Sequence, residues 1–146
     1  MMNKMFQPRL QKECSQLSKE KYEITLKENS CLIRFYTPHH RLMTLEINEA
    51  YPFKSPVVRQ NGVLYGIVPQ DMVLLRVYKD RYQECGCICC HNICSRDRWG
   101  PCFTIEKIIQ GIVSREQKWH EVAFSHVSTC FQTLPVDIQH VISEFL

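Results

Sequence analysis

The sequence predicts an α+β fold in which helices pack on one face, or at the ends, of a single antiparallel sheet. Three observations predict it: an amphipathic segment near the amino terminus, three alternating apolar segments in the middle, and a strongly helical period in the last third. The amphipathic segment is PRLQKECSQLSKE, where Leu10, Cys14 and Leu17 recur at helical spacing and Pro8 suits the first turn.

The alternating segments YEITLKEN, CLIRFY and RLMTLEIN predict strands joined by short connections, which is the pattern of an antiparallel meander. Pro52 and Pro56 in YPFKSP interrupt this pattern, because proline donates no ladder hydrogen bond. Beyond them, Asn61-Gly62 predicts a turn, and VLYGIV and MVLLRVY are interpreted as short strands. The expected sheet has about four strands.

The last third predicts helices. Thr104 suits a helix cap, and the helix that follows has one apolar face, formed by Ile105, Ile108, Ile109, Ile112 and Val113. A second helix is expected around Trp119 to Cys130, and a third from near Pro135, with Ile138 among its apolar residues.

Length and composition favour one domain over residues 1–146, with 45% hydrophobic residues and a net charge of only +3. Lysines and arginines are spread along the chain, so strong nucleic-acid binding is not expected. The chain lacks both an apolar stretch of about 18 residues and the apolar core of a signal peptide, so we expect a cytoplasmic or nuclear protein without membrane association.

The most unusual stretch is GCICCHNICSRDRWGP, in a chain with nine cysteines. An odd count without a secretion signal argues against a disulfide framework. A structural zinc site remains open, because the stretch holds several cysteines and a histidine. Some cysteines, Cys14 and Cys31 included, are expected to be small buried residues. The third interpretation is a nucleophilic thiol in a loop before a Trp-x-Pro and a helix, suited to carrying an acyl group.

Four blocks of sequence, in order, resemble the ubiquitin-conjugating enzymes. RLQKECSQL is similar to the family's first helix and YPFKSP to its Y-P-F-K-P-P turn. GCICCHNICSRDRWGPCFTI resembles the active-site block G-x-[IV]-C-L, spacer, W-x-P-x-x-T-I, and EKIIQGI resembles the helix after it. The resemblance covers roughly residues 8–113, and residues 114–146 form a divergent helical part. It implies a UBC-like fold with an active-site loop between the sheet and the carboxyl-terminal helices.

The resemblance implies an enzyme that accepts ubiquitin or a similar modifier as a thioester and transfers it to lysine with a ligase. In this register Cys89 is the acceptor, with Trp99 ten residues on, and Cys90 is the second choice. Trp99 and Pro101 would shape the loop beside the thiol. His91 or Asp97 could orient the incoming amine. No cofactor and no metal are implied.

The resemblance also implies partners. Arg9 and Lys12 on the first helix would contact the activating enzyme, and Phe53 with Pro101 would contact a RING-type ligase. The alternative for these residues is a solvated helix face and a core phenylalanine.

The chain departs from the family where a His-Pro-Asn triplet usually precedes the cysteine, since the matching stretch reads YKDRYQECG. The loss of an oxyanion donor typically costs about 10²–10³ in rate. Two alternatives therefore stay open: a catalytically inactive variant that acts as a binding module, and a zinc-stabilised interaction domain. The tail LPVDIQHVISEFL faintly resembles the start of an F-box, although an amphipathic closing helix is the preferred interpretation.

Overall fold

The computed structural model describes residues 7–65, 72–83, 93–94 and 98–145. Within them the chain forms four helices and one antiparallel sheet of five strands in the order β1-β2-β3-β4-β5. The helices are α1 (Gln7–Ser15), α2 (Met72–Tyr82), α3 (Ile105–Gln132) and α4 (Val136–Ser143). The strands are β1 (Tyr22–Leu26), β2 (Ser30–Tyr36), β3 (Leu42–Asn48), β4 (Val57–Gln60) and β5 (Val63–Leu64). This confirms the α+β class.

The first three strands form the predicted meander. Burial alternates along β2 and β3, because successive side chains of a strand point to opposite faces. Ile33 pairs with Ile24 on one side and Leu45 on the other, which places apolar residues in register across the sheet. One face is therefore apolar and buried, formed by Cys31, Ile33, Phe35, Met43, Leu45 and Ile47.

The sheet continues beyond the YPFKSP turn, where the sequence pattern had suggested its end. Residue Leu45 of β3 pairs with Val58 of β4, and β4 turns back into β5 through Asn61 and Gly62. Both turn residues have positive φ, 50° and 83°, as a two-residue hairpin turn requires. The predicted turn is confirmed, and the expected count of about four strands was one too low.

The core lies between this apolar face and two helices. Leu10 of α1 is buried, and α3 contributes Ile105, Ile108, Ile109 and Ile112 from its first two turns. The Thr104 hydroxyl accepts a hydrogen bond from the Lys107 amide at 3.1 Å, so the predicted cap is confirmed. Helices on one face of a single sheet are what the sequence predicted.

Residues 72–82 form helix α2, so the prediction of a strand at MVLLRVY was wrong. The residues with low exposure are Leu74, Leu75, Val77, Tyr78 and Tyr82, among which Leu74, Tyr78 and Tyr82 recur every four residues. The buried Tyr78 ring stacks on Trp119 of α3 with centroids 5.1 Å apart. Contact with α3 therefore decides the conformation of an apolar run that local preference alone leaves ambiguous.

The two helices expected between residues 105 and 130 form one continuous helix, α3, of 28 residues. Gly111 lies within it, and a side chain there would meet no atom within 4 Å, so no packing constraint forces a break. The helix predicted near Pro135 is confirmed as α4, although none of its residues is buried. The described helices include none that combines the length and apolarity needed to cross a bilayer.

Candidate active-site loop and its supports

The thiol chosen from the sequence, Cys89, lies outside the described residues, and so do Cys90, His91 and Asp97. Their roles remain predictions. On the amino-terminal side of Cys89, the described residues include helix α2. On its carboxyl-terminal side they include Ile93, Cys94 and the segment Trp99–Pro101.

Trp99 is held by the YPFKSP turn. Its indole Nε1 donates to the carbonyl oxygen of Pro52 at 2.8 Å. Its ring lies beside Tyr51 and Phe103, with centroid distances of 6.1 Å and 5.9 Å. A half-buried indole whose N–H is satisfied is a rigid support, because ring packing and hydrogen bond both restrict its rotamer.

A second contact joins the same turn to the cysteine-rich stretch. The Ser55 hydroxyl donates to the carbonyl oxygen of Cys94 at 2.9 Å. Ser55 stands where the Y-P-F-K-P-P pattern has the first of its two adjacent prolines. The substitution therefore supplies a donor, and two blocks of sequence about forty residues apart are fixed to each other at two points.

Beneath this junction lies a buried carboxylate, Glu13 of α1, which is 8% exposed. It accepts a short hydrogen bond from the Tyr51 hydroxyl and a longer one, 3.4 Å, from the Ile105 amide. Arg9, one turn earlier, approaches the same carboxylate at 3.6 Å. Burial, followed by the hydrogen bond to Glu13, raises the pKa of Tyr51. One carboxylate thus joins α1, the YPFKSP turn and the start of α3.

The two basic residues predicted to contact an activating enzyme differ in their surroundings. The Arg9 guanidinium donates to the carbonyl oxygen of Phe103 at 2.8 Å and lies over the Tyr51 ring, 5.3 Å from its centroid. Lys12 is exposed on α1. Arg9 therefore has a structural role in the junction, whereas the Lys12 ammonium faces solvent.

Phe53 and Pro101, predicted to contact a ligase, are both exposed. Phe53 is 71% exposed, so the alternative that it is a core residue is wrong. They lie in the two segments that the Trp99–Pro52 hydrogen bond joins.

Cys94 is the member of the cysteine-rich stretch whose surroundings are described. Its burial raises the pKa of the thiol to about 12, so it is protonated at neutral pH and a poor nucleophile. Across the described part of the chain, no three His, Cys, Asp or Glu side chains gather as a metal site would require. Most of the candidate zinc ligands lie outside that part, and the zinc interpretation stays open.

On the other side of the stretch, the end of α2 is fixed to α3. The Tyr82 hydroxyl donates to Glu121 at 2.6 Å, and this hydrogen bond is the main cause that lowers the pKa of Glu121. Arg81 donates to the Ser125 hydroxyl at 2.8 Å and lies 3.8 Å from Glu121. These residues lie in YKDRYQECG, and their polar groups are directed toward α3.

Sequence reasoning missed Glu13 and Ser55, although both had a signal. Glu13 follows Arg9 at i, i+4, a spacing that favours an ion pair on a helix. Ser55 differs from the proline at the fifth position of the Y-P-F-K-P-P pattern, and its partner could not be inferred without the tertiary structure.

Comparison with known proteins finds no matching family, no matching curated protein and no matching solved structure.

Proposed function

We propose that this chain is a ubiquitin-conjugating-type enzyme with a UBC-like fold, in which Cys89 carries ubiquitin or a related modifier as a thioester. The observation that supports the proposal most is the double connection of the YPFKSP turn to the segment after the candidate thiol. Trp99 donates to Pro52, and Ser55 donates to Cys94. Blocks chosen from the sequence for their family resemblance thus contact each other in the fold.

Such an enzyme needs a thiol on a supported backbone, because acyl transfer depends on a geometry held to a fraction of an ångström. In the proposed reaction the Cys89 thiolate attacks the thioester carbonyl of the charged activating enzyme, whose own thiolate leaves. A lysine amine or a ligase cysteine then attacks the new thioester, and the Cys89 thiolate leaves. Lys12 is suited to contact the activating enzyme, and Phe53 with Pro101 to contact a RING-type ligase, since all three are exposed.

The test is a charging assay with activating enzyme, ATP and modifier, resolved on a non-reducing gel. We expect a thiol-sensitive adduct that Cys89→Ser abolishes or converts to a thiol-resistant ester, while Cys90→Ser leaves it. Cys102→Ser is the matched control, because Cys102 is exposed and lies outside the crowded stretch. Ubiquitin and the related modifiers are tried in turn, and no adduct with any of them would refute the proposal.

A second candidate is a catalytically inactive variant that binds a modifier or a partner enzyme. The observation that favours it is α2, which occupies the stretch where an oxyanion-stabilising asparagine is usual and bonds to α3 through Tyr82 and Arg81. Under this candidate no thioester forms, but labelled modifier or activating enzyme binds with unchanged affinity to the Cys89→Ser protein. Stoichiometric zinc in the purified protein would instead favour the zinc-stabilised domain.

A further inference from the structure

A thiol and an imidazole contact each other on the surface of α3, in the second half of the helix. The Sγ atom of Cys130 lies 3.8 Å from the Nε2 atom of His126. The two residues are four apart on one helix, so their side chains lie one above the other on the same face. Cys130 is exposed and His126 is partly exposed, so a ligand from solvent can reach both.

The separation of these two atoms fits a single zinc ion. Tetrahedral zinc binds thiolate sulfur at about 2.3 Å and imidazole nitrogen at about 2.0–2.1 Å. Two such ligands of one ion therefore lie about 3.6 Å apart, close to the 3.8 Å between Sγ and Nε2. Ligands four residues apart on a helix are also the spacing of helical zinc-binding motifs. Small side-chain rotations are therefore enough for both atoms to bind one ion.

The pair supplies only half of a structural zinc site. Such a site takes four protein ligands. Among the side chains that the structure describes, no third histidine, cysteine or carboxylate joins these two. The two remaining positions on the ion therefore need ligands from solvent or from another chain.

The surface around the pair suits a second copy of the chain. Phe124 and Val127, which are 68% and 64% exposed, lie three residues apart and form an apolar stripe beside the pair. Residues 119–145 contain neither lysine nor arginine, and Arg81, which reaches this half of α3 from α2, lies 3.8 Å from Glu121. A facing copy would therefore bring apolar side chains and the same two ligands to the ion.

We propose that His126 and Cys130 form a zinc half-site, and that the same pair of a second copy completes it with two thiolates and two imidazoles. A two-fold axis through the ion brings the same surface of both copies together. Each Cys130 thiol releases its proton to solvent as its S–Zn bond forms, and the two thiolates balance the charge of Zn²⁺. This inference does not depend on the proposed function, because it uses neither Cys89 nor the active-site loop.

The decisive experiment measures the association state of the full chain with and without zinc. The protein is stripped of metal with a chelator, kept reduced with a non-thiol phosphine, and titrated with Zn²⁺ at neutral pH in sedimentation equilibrium. We expect a monomer without zinc and a dimer with it. The dimer should hold one zinc per two chains more than the Cys130→Ser protein binds. A protein that stays monomeric at every zinc concentration would overturn the proposal.

Four variants identify the ligands. Loss of an outer-shell partner typically costs about 10–100-fold in metal affinity. Cys130→Ser and His126→Gln each remove a direct ligand, so each should raise the zinc concentration for half-dimerisation at least about 100-fold. Cys102→Ser and His140→Gln are the matched controls, because both residues are exposed, and they should dimerise as the wild type does. A zinc-dependent dimer that survives both ligand variants would overturn the proposal.

Alkylation of the wild-type chain tests the same site without any variant. Trypsin releases Cys130 within residues 119–146 and Cys102 within residues 99–107, and each peptide has a single cysteine. A thiolate bound to zinc is shielded, so zinc should slow the labelling of Cys130 by iodoacetamide and leave that of Cys102 unchanged. Labelling of Cys130 at the same rate with and without zinc would overturn the proposal.

Discussion

Replacing Glu13 by alanine tests whether the junction beneath the candidate loop is stabilised by one carboxylate. The substitution removes the Glu13 acceptor of the Tyr51 hydroxyl, which belongs to a residue only 1% exposed. A hydrogen bond to a charged group contributes about 1.5–3 kcal/mol, and the partly exposed Arg9 pair adds about 0.5 kcal/mol. We therefore expect Glu13→Ala to lower the free energy of unfolding by about 3 kcal/mol.

The assay is urea unfolding in reducing buffer, followed by circular dichroism. Gln11→Ala is the matched control, because Gln11 is an exposed residue of the same helix and should change the free energy by less than about 0.5 kcal/mol. Glu13→Gln should cost less than Glu13→Ala, since an amide oxygen can still accept from Tyr51.

A double-mutant cycle with Tyr51→Phe isolates the hydrogen bond. Tyr51→Phe alone should cost about 1.5 kcal/mol, and the double variant should be more stable than additivity predicts by a similar amount. A coupling energy below about 0.5 kcal/mol would refute the reasoning, because the two side chains would then stabilise the fold independently.

The same cycle has a pH dependence whose sign follows from the raised pKa of Tyr51. The folded protein keeps a proton that the unfolded chain loses above about pH 10. The contribution is therefore complete below pH 10 and is lost as pH rises, at up to about 1.4 kcal/mol per unit. Tyr51→Phe should remove this part of the alkaline slope and leave stability at pH 7–9 parallel to wild type.

Three further predictions concern single positions. Trp99→Phe should lose about 1–2 kcal/mol in urea unfolding, because the Pro52 carbonyl loses its indole donor; an unchanged midpoint would contradict the support we assign to this side chain. Gly62→Ala should lower the free energy of unfolding by about 1 kcal/mol in the same assay, because alanine disfavours the positive φ of 83°. The new Cβ would meet no atom within 4 Å, so backbone strain is the cause of the cost. An unchanged free energy would contradict the turn geometry. In the native protein at pH 8, iodoacetamide should label Cys94 at least about 100-fold more slowly than exposed Cys102. The reason is that burial raises the pKa of the Cys94 thiol to about 12. Equal labelling rates, measured by peptide mapping, would show that Cys94 is accessible.

Most of the sheet could be predicted because its signal is local. Alternation along β2 and β3 directly reflects which side chains face the core, and the Asn61-Gly62 pair has few conformations other than a tight turn. The first two turns of α3 were equally clear, since their isoleucines form a single face.

Helix α2 could not be predicted in the same way. Its sequence is rich in β-branched and aromatic residues, which favour strands when judged locally. The stacking of Tyr78 on Trp119 and the hydrogen bond from Tyr82 to Glu121 are long-range contacts, and they select the helix. The prediction of two helices between residues 105 and 130 was wrong for a related reason, because contacts with α2 stabilise the second half of α3.

Some residues of the candidate site could be predicted from the sequence, and others could be identified only from the tertiary structure. Residue types such as Trp99 and Pro101 were found because they resemble a family pattern, which says what a residue is but not what it contacts. Glu13, Ser55 and the orientation of Arg9 became visible only when α1, the YPFKSP turn and the start of α3 met in space.

The supports of the loop and the chemistry of its thiol can be separated by experiment. Ser55→Ala removes the donor to the Cys94 carbonyl but leaves every cysteine in place. If the supports serve only stability, such a variant unfolds earlier and still charges fully at low temperature. If they position the thiol, charging falls while the unfolding midpoint moves little, because a net hydrogen bond contributes only about 1 kcal/mol whereas a small displacement can cost about 10²-fold in rate. Either result is that of a charging enzyme, and only the second shows that the supports position the thiol, whereas a binding module would form no thioester in either protein.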